Sequence, residues 1–63
     1  MKDAIALDTA RTLVVEAKPG EVPITLKTYG MPIFLHPLTP DQAEAIGNAL
    51  IRAAQRSKAG ASA

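Results

Sequence analysis

Sixty-three residues with no cysteine and a single histidine bound the chain to one small domain, with no disulfide and no thiolate metal site. Seven Lys and Arg against six Asp and Glu leave a net charge of +1, which excludes a strong field drawing nucleic acid or membrane. Hydrophobic residues make up 48% and mean hydropathy is +0.10, high for a body with so much surface to cover, and this favours oligomerisation.

The opening segment "MKDAIALDTA" carries one lysine, two aspartates and no long apolar core, so it does not read as a signal peptide. Apolar runs stop at four or five residues, far short of the roughly 20 a membrane span needs. The expected location is the cytoplasm.

Alternation with period two marks the first strands. Ile5 and Leu7 point one way and Ala4 and Ala6 the other, predicting a strand over residues 4–8. Leu13, Val15 and Ala17 alternate with Thr12, Val14 and Glu16, predicting a second over 11–17, with "DTAR" and its Asp8 turning the chain between them. One long bent strand over 4–17 satisfies the same alternation, but two are preferred. "KPGE" is the clearest turn: Pro19 presets φ at the second position, and Gly20 accepts the positive φ of a type II turn at the third. A strand over 22–28 follows, with Val22, Ile24 and Leu26 on one side. Pro23, lacking an amide hydrogen, suggests an edge or a start after the proline. "YGMP" turns again, and residues 32–36 form a short last strand with Ile33 and Leu35 expected to face inward.

"LTPDQAEAIGNALIRAAQR" reads as a helix over 40–57. Thr39 and Gln42 make a capping box, Pro40 suits the first helical position, and Asp41 complements the dipole. At about 100° per residue, Ala43, Ile46, Gly47, Leu50, Ile51, Ala53 and Ala54 share an apolar arc; Asp41, Glu44, Asn48, Arg52 and Gln55 share the polar one. Such a helix is expected to cover one sheet face, with Leu50 deeply buried. Residues 58–63, "KAGASA", are expected to form a disordered tail after a single domain over 1–57. This layout resembles that of many short bacterial and phage-encoded proteins over residues 33–56, a resemblance that implies no function.

Chemistry is sparse. The four glycines are isolated, so no phosphate loop exists, and the two serines a nucleophilic site with His36 would use, Ser57 and Ser62, both lie at the chain's end. The carboxylates show no paired spacing. No enzyme, cofactor or metal is therefore expected. The sheet face away from the helix is expected to carry Val14, Lys27, Tyr29, Phe34 and His36, aromatics ringed by polar groups, which is the chemistry of a contact surface. The expectation is an α+β fold: a small antiparallel sheet of three to four strands with one C-terminal helix on one face. Its function would be protein binding, as a homodimer or as an accessory or inhibitory protein. The alternative is a dimeric nucleic-acid-binding regulator contacting phosphates through Lys18, Lys27, Arg52 and Arg56; against it, Asp41 and Glu44 occupy the early helix positions that would meet phosphate.

Overall fold

A computed structural model of the chain describes residues 1–62. Strands β1 (Lys2–Ala6), β2 (Arg11–Glu16), β3 (Val22–Thr28) and β4 (Met31–Leu38) form an antiparallel meander in sequence order, and helix α1 (Pro40–Ser62) follows. The α+β class expected from the sequence is the one found.

Each connection has a local cause. Between β1 and β2, the Asp8 carboxylate accepts hydrogen bonds from the Ala10 and Arg11 amides at 2.8 and 2.7 Å, mimicking a backbone turn. Arg11 closes on the same carboxylate at 3.1 Å. The chain therefore breaks into two strands here and does not bend as one. Between β2 and β3, Lys18 and Glu21 exchange backbone hydrogen bonds at 3.0 and 3.1 Å around Pro19 and Gly20, whose φ of 73° meets the demand of the third turn position. Between β3 and β4, Tyr29 and Gly30 both have positive φ, 51° and 78°, the pattern of a type I′ hairpin turn. The Tyr29 amide donates to the Ala10 carbonyl at 2.7 Å, tying this turn to the β1–β2 loop at the same end of the sheet.

β1 starts two residues earlier than the alternation suggested. Lys2 pairs with Glu16, and the Ala17 amide donates to the Met1 carbonyl at 2.8 Å, so the hairpin extends to the first residues. Pro23 lies within β3, a central strand, and not before it. It faces Pro37 of β4, and the β2 ladder ends one pair earlier at Val15 and Ile24. Neither proline can donate, so the sheet places them opposite each other and beyond the last β2 pair.

The helix departs most from expectation. α1 makes its main contact with β4 and packs little against the rest of the sheet among the described residues. Its apolar arc is open: Leu50, expected to be deeply buried, is 64% exposed and Ile51 58%. Among the described residues the buried apolar side chains are Val14 and Leu38, each 9% exposed, and Pro23. The physical reason lies in the link. One residue, Thr39, joins β4 to α1, and a single residue spans at most about 3.6 Å. Stacked layers sit about 10 Å apart. The capping box is formed as read, with the Thr39 amide 3.0 Å from Gln42 Oε1 and the Gln42 amide 3.1 Å from Thr39 Oγ1. It fixes the direction in which the helix leaves. α1 also continues through residues 58–62, where a disordered tail was expected, because "KAGAS" holds no proline to stop it. Ala63, the last residue of that expected tail, lies outside the described residues.

Candidate interaction surface

Cross-strand partners share a face, so the register sorts the sheet. Leu13 pairs with Leu26, Val15 with Ile24, and Ile5 with Leu13. Along β4 the register shifts at Leu26 and Lys27. Lys27 faces Pro32 but Leu26 faces Phe34, leaving Ile33 as the extra residue of a β-bulge. A bulge inverts every side chain beyond it. Phe34, His36 and Leu38 therefore join Leu26, Ile24 and Val22 on one face, here termed the Leu26 face. Leu35 turns to the opposite, Val14 face, beside Thr25.

This separates the five residues expected to form one contact surface. Phe34 and His36 lie on the Leu26 face and stack on each other, ring centroids 6.4 Å apart and planes 14° from parallel. Val14 and Lys27 lie on the other face, where Val14 is buried between Ala4 and Thr25. Tyr29 lies on neither face but at the tip of the type I′ turn, 83% exposed. Sequence reasoning missed the Ile5, Leu13, Ile24 and Leu26 side of the sheet as an open surface, because it assigned the helix to cover it. The sequence pattern ends the last strand at residue 36 and leaves three residues before the helix, so the one-residue link is visible only in the structure.

The Leu26 face is the more apolar. It gathers Ile5, Leu13, Val15, Ile24, Leu26 and Phe34, with Asp3, Arg11 and His36 toward its margins. Phe34 is 53% exposed, and Ile5 and Met31 are exposed as well. Thr28, at the end of β3 on this face, has a buried hydroxyl with no hydrogen-bond partner among the described residues.

The Val14 face holds a shallow depression of about 280 Å³ at the helix-proximal end, floored by Pro23, Leu35 and Pro37 and rimmed by Glu16, Lys18 and Glu21. Thr25 supplies its only hydroxyl, and no histidine lines it. Lys18, Lys27, Arg52 and Arg56, the candidate phosphate contacts, occupy a turn, a strand and the helix. Lys18 and Lys27 lie near opposite ends of β3. No group of three His, Asp or Glu side chains among the described residues is placed to hold a metal. None of the described helices is long and apolar enough to cross a membrane. The edges of the sheet differ: β4 carries Pro32 and Pro37, which remove two amide donors, whereas β1 has no proline.

No protein-family model matches the chain, no curated protein is significantly similar to it, and no solved structure matches its fold.

Proposed function

We propose that the chain is a non-enzymatic protein-binding module of the cytoplasm that works as a homodimer, with the Leu26 face as its contact surface. Surface area carries the reading. The chain exposes 5041 Å², whereas a folded monomer of 6.6 kDa is expected to expose about 3,900 Å². The excess of roughly 1,100 Å² exceeds the approximately 800 Å² that each partner buries in a standard interface. Size agrees: the radius of gyration is 13.6 Å, against about 11 Å for a compact chain of this length. An openness of this size supports a chain covered by a partner.

Burial at about 25 cal/mol per Å² of apolar surface is offset by an association cost of about 4–15 kcal/mol, so the dimer's midpoint is expected on the order of micromolar. Sedimentation across a hundredfold concentration range tests it. Wild type is expected to pass from monomer to dimer, and Phe34→Asp to remain monomeric. A wild-type monomer at every concentration refutes the proposal, and a dimer indifferent to Phe34→Asp moves the contact off this face.

A further inference from the structure

We infer that the two copies exchange helices: α1 of each chain lies across the Leu26 face of the other, so that neither chain covers its own sheet. The inference rests on the homodimer reading above and specifies its geometry. Two apolar surfaces in this chain lack cover, and they have complementary shapes. One is the Leu26 face, where Leu13 and Leu26 are half-buried and Phe34, Ile5 and Met31 are exposed. The other is the helix arc of Ile46, Leu50 and Ile51, all exposed. A pleated apolar sheet and a single apolar helix stripe are the two layers of an ordinary α+β core.

Within one chain they do not meet: Leu50, Ile51 and Phe34 all stay exposed. The link is the single residue Thr39, the capping box is formed, and the main contact of α1 is with β4, leaving Leu50 and Ile51 exposed. Between two chains related by a twofold axis, the same exit direction carries each helix toward its partner. A twofold interface is self-complementary: a contact of helix on sheet occurs twice, once from each side. Length suffices, since 23 helical residues extend about 34 Å, longer than a strand of eight residues at about 26 Å. The side of the helix that would face the sheet also permits close approach, with Gly47 and Ala43 one turn apart. Ala43 and Gly47 are half-buried, and a methyl group added at Gly47 meets nothing within 4 Å beyond its neighbours and its own helix backbone, so room for a closer approach remains. The polar arc, with Glu44, Asn48 and Arg52, remains outward in this arrangement.

The absence of native cysteine makes a cross-linking test clean. Chains carrying Leu50→Cys are mixed with chains carrying Leu26→Cys, allowed to exchange, and treated with a short bis-maleimide. Phe34→Cys, on an exposed side chain, serves as a second sheet position in case Leu26→Cys disturbs folding. The expected product is a covalent dimer joining helix to sheet, at least tenfold more abundant than with Thr25→Cys, which lies on the opposite face. A doubly substituted Leu26→Cys, Leu50→Cys chain that closes on itself as a monomer overturns the exchange, because the helix then reaches its own sheet. Predominant linkage of Leu50→Cys to itself also overturns it. A wild-type dimer by sedimentation with no helix-to-sheet product sinks the exchange alone; a wild-type monomer throughout sinks the homodimer as well.

Discussion

Deleting Ile33 tests the register on which the Leu26 face depends. β4 has eight residues and β3 seven, and Ile33 is the residue without a partner. Its removal leaves Leu26 opposite Phe34, Ile24 opposite His36 and Val22 opposite Leu38, now in a regular ladder. Ile33 is 60% exposed, so the burial lost is a minor part of the 1.5–3 kcal/mol for a fully buried side chain, about 1 kcal/mol. A regular ladder offsets some of that. The alternative register, with Leu26 opposite Ile33 and no bulge, gives a different result. There the deletion would turn Phe34, His36 and Leu38 over to the other face. Leu38, only 9% exposed, would lose most of its burial, costing about 1.5–3 kcal/mol by itself. For 63 residues the whole folding free energy is about 3–9 kcal/mol, so that loss alone approaches unfolding. Urea melts at fixed protein concentration measure the cost, and backbone NMR contacts between Leu26 and Phe34 report the register directly. A cost above about 2 kcal/mol, or a wild type showing Leu26 beside Ile33, refutes the bulge.

The remaining predictions concern the turns and one orphaned hydroxyl. Gly30→Ala is expected to destabilise by about 1 kcal/mol from its positive φ alone, since an added Cβ meets nothing within 4 Å; an unchanged urea midpoint would contradict the type I′ assignment. Tyr29→Asn, placing a residue suited to the left-handed region at φ 51°, is expected to raise the melting temperature in dilute protein. Thr28→Val removes the buried unpaired hydroxyl with shape retained, so thermal melts are expected to show no loss, and a drop of several degrees would reveal a partner for Oγ1. Asp8 is held below the usual carboxylate range, first by the Ala10 and Arg11 amides and then by the Arg11 charge. Its folded pKa therefore lies below its unfolded one. Its contribution is complete above about pH 4 and fades as pH falls through the lowered value, so wild type should lose its advantage over Asp8→Asn in acid melts. Parallel profiles for the two proteins would remove Asp8 from the turn.

What the sequence made legible was local. Asp8, the Pro19–Gly20 pair and the Thr39–Gln42 box each act within four residues, and the structure shows all three devices formed; "YGMP" also marks a turn, but Tyr29 sits at its tip and not on a sheet face. The bulge was not legible, because alternation tells which residues share a face only while the count stays even. Ile33 breaks the count without breaking the pattern, and Phe34 and Leu35 exchange sides as a result. The site followed the same failure, and Val14 and Phe34 ended on opposite faces.

The helix illustrates a different gap between pattern and placement. Its apolar arc states that Ile46, Leu50 and Ile51 require cover, and the alternation in β2 and β3 states the same of Leu13, Leu26 and their neighbours. Neither pattern names the surface that provides it. Assigning each to the other within one chain needs a link long enough to turn, and Thr39 alone is not. Amphipathic elements joined by so short a connection do not cover one another in this chain, and that uncovered surface is what the proposed dimer would bury. In this protein the brevity of one connection, more than any cluster of reactive side chains, is the feature from which a function can be argued.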